Sequence, residues 1–123
     1  MIFETWRLTR RLKQAEARIR KDQFDEAQTL LVSVLNRQPE QRMVYLAYSR
    51  LVVTEFHRSN LRNALHYAKL CGEDAQVYPE FWEDSANREC LDRVQWYRDQ
   101  CEESLGDRHA GKASVSSRDS QDE

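Results

Sequence analysis

Between Ala15 and Pro39 the chain reads as a helix, a tight turn, a second helix and a stop, and a weaker version of the same pattern runs from Ser59 to Cys71. The first copy carries Asp22, Phe24, Ala27, Leu31, Val34 and Pro39. The second carries Ser59, Leu61, Ala64, Leu65, Ala68 and Cys71. A helical hairpin that recurs at nearly fixed spacing cannot bury its apolar face alone and must stack on a neighbour. Stacks of that kind commonly offer a groove to another protein, so the pattern points to a binding module before it points to any partner.

Periodicity then divides the chain. Leu8, Leu12, Ala15 and Ile19 recur at i, i+4, i+7 and i+11, which predicts a first helix from about Thr5 to Lys21 with one apolar stripe. Asp22 and Gln23 make a turn, and a second helix starts near Asp25 and ends before Pro39. A third helix over about Gln41–His57 is apolar on more than one side, through Val44, Ala47, Tyr48, Leu51, Val52 and Phe56, as the middle element of a stack must be. Ser59 or Asn60 is the expected cap of a fourth helix, and Gly72 its expected stop. Pro79 suits the first turn of a fifth. From there Trp82, Ala86, Cys90, Val94, Tyr97, Cys101 and Leu105 continue at spacings of three and four. They predict one long helix, or two with a break near Asn87, lying over the last hairpin as a cap. Residues 1–105 are thus read as one domain, and the Ser-, Asp- and Gly-containing stretch 106–123 as a disordered tail.

The residues of the two copies resemble the tetratricopeptide repeat family over about residues 6–76. Phe24, Ala27, Leu31, Val34 and Pro39 take the second-helix positions of one repeat, and Leu61, Ala64, Ala68 and Cys71 those of the next. Tyr48 and Leu51 match the aromatic and the Leu that open a first helix. The copies depart from the family in places. Ala27 and Ala64 stand 37 positions apart, where the family repeats at about 34. The small first-helix residue is Ala15 in one copy and Val52 in the other, and Gln76 stands where the second closing Pro would be. The resemblance implies an all-α fold: a stack of two antiparallel helical hairpins with a long C-terminal capping helix. It also implies a non-enzymatic adaptor or chaperone that binds a protein segment.

In such repeats the first helix of each pair lines the groove. Carried over by position, this singles out Glu16 and Arg20 in the first helix, and Arg50, Val53 and His57 in the third. Some repeats of this type hold a peptide's terminal carboxylate between Asn and Lys or Arg; here those Asn positions are Glu16 and Val53, so that clamp is missing. Phe3 and Trp6 form a second candidate surface. On a helical projection they lie opposite the Leu8/Leu12/Ile19 stripe, as an aromatic contact for a partner or a second copy would.

Charge is uneven although the net is only −2. Residues 1–21 hold Arg7, Arg10, Arg11, Lys13, Arg18 and further cations against Glu4 and Glu16. Residues 73–89 hold Glu73, Asp74, Glu80, Glu83, Asp84 and Glu89 against Arg88. The two segments are expected to attract each other within the fold or across two copies. A basic first helix with Phe3 and Trp6 could instead lie on an anionic membrane. Its cations, however, are spread around the helix and interrupted by Glu16. Nucleic acid is disfavoured, because the interleaving of aromatic and basic residues extends no further.

Catalysis and cofactors find no support in the pattern. Cys71, Cys90 and Cys101 have no CxxC or paired spacing, so they read as small hydrophobes of a reducing compartment, with the cytoplasm as the expected location. His57 and His66 fall on different predicted helices, and no metal-ligand or phosphate-loop motif occurs. Glu55 and His57 do not share a helix face, and Glu83 and Asp84 suit the start of a helix.

Overall fold

The computed structural model of the chain describes the backbone of residues 2–118 and the side chains of residues 4–106. Among these residues there are helices and no strands: α1 (Ile2–Arg20), α2 (Phe24–Asn36), α3 (Gln41–His57), α4 (Leu61–Val77), α5 (Pro79–Glu83) and α6 (Ser85–Arg118). No helix among the described residues is long and apolar enough to cross a membrane.

Two turns of the same construction shape the first four helices. Asp22 follows α1 at φ 60°, and Ser59 follows α3 at φ 65°. In the first turn the Asp22 N–H donates to the Ile19 carbonyl at 3.0 Å and the Gln23 N–H to Arg18 at 2.8 Å. In the second the Ser59 N–H donates to Phe56 at 3.0 Å and the Asn60 N–H to Glu55 at 2.8 Å. Paired bonds of this form around one left-handed residue make a Schellman ending, which satisfies carbonyls that the helix would leave open. α2 also ends on a left-handed residue, Gln38 at φ 51°. Pro39 follows it and has no N–H to complete the pair.

Several local expectations change here. Asn60 occupies the position before α4, but its side chain makes no capping bond; its backbone does the work, the carbonyl accepting from the Ala64 N–H at 3.0 Å. Gly72 does not stop α4, which runs on to Val77. No glycine among the described residues has positive φ. A Cβ at Gly72 would instead stand 3.4 Å from Arg98 Nη1 and 3.7 Å from Gln95 Nε2 on α6, so the missing side chain lies against a neighbouring helix. The break before α6 falls at Asp84, whose ψ of 135° takes the chain out of the helix, and not at Asn87. Asn87 closes that break, donating from Nδ2 to the Phe81 carbonyl at 2.9 Å. Ala86, expected to face inward, is exposed. α1 begins at Ile2 and not Thr5. Of the stretch 106–123 expected as a tail, the backbone to Arg118 belongs to α6, and the side chains beyond Gly106 lie outside those described.

α1 pairs with α2 and α3 with α4; α3 crosses α2 and touches α1, while α6 crosses α4 and touches α3, with α5 braced on α4 and α6. Leu8, Leu12 and Ala15 of α1 bury against Leu31 and Val34 of α2 and Ala47 and Leu51 of α3. Val52 leaves the other side of α3 to join Ala68, Cys71 and Val94. Tyr48 and Tyr67 pack against both groups, their ring centroids 5.3 Å apart. The two-sided apolar pattern of α3 has this use. Ala27 and Ala64 are fully buried. The acidic segment 73–89 does not reach α1, whose helix neighbours are α2 and α3.

Candidate functional site

α1, α3 and α6 together enclose a groove of about 400 Å³. Glu16 and Arg20, four residues apart, come from α1, while Arg50 and Val53, three residues apart, come from α3. Four of the seven residues singled out in the sequence therefore meet in one place. α6 adds Cys90 and Val94, which the sequence assigned to a capping stripe and not to the groove, and Arg93, which it did not single out. The signal that could have found them is positional. A helix lying on both members of the previous hairpin continues the wall that α1 and α3 begin.

Arg50 is the centre of the groove floor. Its Nε donates to Glu16 Oε2 at 2.8 Å, and its Nη1 donates to Ser49 Oγ at 2.9 Å and to Cys90 Sγ at 3.4 Å. One guanidinium thus ties α1 to α3 and to α6. Only about a quarter of its side chain is exposed, with Glu16 at 32%, so the pair is partly desolvated and its members are committed to each other. Ser49 is buried, and its hydroxyl donates to the Leu46 carbonyl at 2.6 Å.

Arg20 and Arg93 differ. Both are exposed, and neither makes an ion pair among the described residues. The groove accordingly holds three guanidiniums and one carboxylate, with Ile19, Val53 and Val94 supplying apolar wall between them. A surface of that composition attracts an anion and leaves room for an aliphatic side chain beside it.

His57 stands outside this groove. Its ring stacks on Phe24 with centroids 4.8 Å apart and planes at 15°, and its Nε2 lies 3.2 Å from the Tyr97 hydroxyl. The imidazole joins the start of α2, α3 and α6, which gives it a packing role that spacing alone did not reveal. Trp6 lies elsewhere again, 60% exposed, with the Arg10 guanidinium 5.5 Å from its ring centre. Beside it is a shallow depression of about 650 Å³ walled by Leu8, Pro39 and Met43 and crossed by the Glu4–Arg37 ion pair at 2.7 Å. That pairing holds the Glu4 carboxyl below its ordinary range and raises the Arg37 guanidinium. Phe3 belongs to α1, and its side chain lies outside those described.

Comparison with known proteins finds no match to this chain among protein-family profiles, curated proteins or solved structures.

Proposed function

We propose that this chain is a non-enzymatic interaction module of tetratricopeptide-like build, an adaptor or chaperone that holds a segment of a partner protein in the groove between α1, α3 and α6. The contacts of α6 support the architecture: it lies on α4 and α3 as α3 lies on α2 and α1, and so takes the place of a third first-helix. The matching turns at Asp22 and Ser59 support it as well. The reading of function rests on one observation. Three arginines and a single carboxylate converge on a groove with apolar walls, and two of those arginines have no ion-pair partner among the described residues. Such a groove favours a segment whose apolar side chains are flanked by acidic ones, with burial supplying affinity and the arginines setting orientation. Its free, mostly buried cysteines suit a reducing compartment, and we assign it to the cytoplasm.

The test is a photo-crosslinking residue at Val53, with one at exposed Lys69 on α4 as the control, in cells of the native host. A discrete adduct is expected at Val53 and not at Lys69, and Arg20→Glu with Arg93→Glu should abolish it. Equal labelling at both positions, insensitive to the arginines, would exclude the groove as the binding surface.

A second reading, a subunit of a larger helical assembly, draws on Trp96, a large aromatic 55% exposed on α6 that another subunit could cover. A membrane-lying first helix is harder to support, because Leu8, Leu12 and Ala15 are already buried inside the fold.

A further inference from the structure

Both carboxylates of the basic first helix are used within the fold, Glu4 by Arg37 and Glu16 by Arg50. What remains outward on α1 is free of negative charge. Trp6, Arg10, Lys13 and Ala17 follow one another at i, i+4, i+7 and i+11, the same intervals as the buried stripe Leu8, Leu12, Ala15 and Ile19. The two stripes are offset by two residues, about 200° around the helix, and so lie on opposite sides. Trp6, Arg10 and Lys13 are exposed, and neither cation has an ion pair among the described residues. The outer side of α1 is therefore an aromatic and cationic face with no helix upon it.

The complementary surface belongs to the same chain. Glu73, Glu80, Glu83, Asp84 and Glu89 are all exposed and without ion pairs among the described residues. Arg88 is the single cation in 73–89. Set among these carboxylates are Val77, 66% exposed, and Tyr78, 45% exposed. α1 packs on neither α4 nor α5, so a single copy does not bring its own two faces together. We propose that a second copy does. The Trp6–Arg10–Lys13–Ala17 face of one chain docks on the acidic segment 73–89 of another, with Trp6 meeting Val77 and Tyr78 while the cations meet the surrounding carboxylates. Exposed charges of opposite sign steer such an encounter, and the apolar groups among them supply the burial that surface ion pairs alone do not. Each copy carries both faces, so a two-fold pair can use the contact twice.

Sedimentation of the full chain decides the matter. Association is expected to rise with concentration at about 50 mM NaCl and to fall away by about 500 mM, as the Debye length drops well below 10 Å. Arg10→Glu with Lys13→Glu should weaken it at least tenfold, and so should Glu80→Lys with Glu83→Lys in a separate chain. All four positions are exposed, so circular dichroism of both variants should match wild type. An equimolar mixture of the two should associate again, because each reversed face then meets its reversed counterpart. A wild-type chain that stays monomeric at low salt would overturn the proposal, as would a mixture that does not recover. Retention of the wild-type monomer on anionic vesicles or on nucleic acid, unaffected by Glu80→Lys with Glu83→Lys, would assign the basic face to that ligand instead.

Discussion

Asp74 is the most burdened single residue. It is 4% exposed on α4, and its carboxylate accepts from Trp82 Nε1 at 2.7 Å and from Gln41 Nε2 at 3.5 Å. Burial pushes its pKa above the ordinary value, while these two bonds pull the other way and lose. A carboxyl raised in the fold favours the native state while protonated, below its unfolded pKa near 3.9. That contribution is lost as pH rises through the folded value. Asp74→Asn keeps an oxygen for the Trp82 N–H and removes the buried charge. Its melting temperature should exceed wild type at neutral pH, reflecting a stability gain on the order of 1 kcal/mol, and the gain should vanish near pH 3. A variant that melts lower at pH 7 would show that the charge-assisted bond to Trp82 outweighs desolvation. Nothing in the sequence separates Asp74 from its exposed neighbour Glu73. Burial is a property of how α5 folds back on α4.

At the scale of the element, turns and helix lengths diverge from composition in an instructive way. The left-handed positions that end α1, α2 and α3 are Asp22, Gln38 and Ser59, and none is a glycine. Gly72, the glycine that looked like a helix stop, sits inside α4 and faces α6. A Cβ there would make ordinary contacts with the ends of two flexible side chains. Gly72→Ala should therefore stabilise the protein by about 0.5–1 kcal/mol, the usual gain from removing a mid-helix glycine. Denaturant unfolding of the variant distinguishes the two roles: a true C-terminal glycine in the left-handed region would make alanine destabilising. Where a strong periodic signal existed, as over Gln41–His57, the helix was legible to its ends. Where one residue type stood for two uses, it was not.

At the scale of the molecule, Tyr48 and Tyr67 join the α1–α3 core to the core shared by α3, α4 and α6. Two cores bridged this way should unfold together. Leu31→Ala, at a fully buried position of the first core, should cost about 2–5 kcal/mol. Loss of helix and the emission change of Trp82, which is 2% exposed beside α6 while Trp6 and Trp96 are already exposed, should then shift together to the same lower temperature. Separate transitions would mean that the hairpins melt independently and that the stack is held more loosely than its shared aromatics imply.

The periodic positions of Leu8, Leu12, Ala27, Leu31, Ala64 and Ala68 determined the helices and their buried faces by themselves, because a helix repeats its environment every three or four residues and the pattern is local. The resemblance to a repeat family, carried over by position, singled out Glu16, Arg20, Arg50 and Val53, and the fold brings them to one groove. What spacing could not reveal was which of these side chains remain free. Arg50 is bound to Glu16, Ser49 and Cys90, and His57 to Phe24 and Tyr97. Arg20 and Arg93 are left without an ion pair among the described residues. That distinction belongs to tertiary structure alone, since a charge is free or committed according to what other helices bring within about 3 Å of it, and those helices lie tens of residues away in the chain.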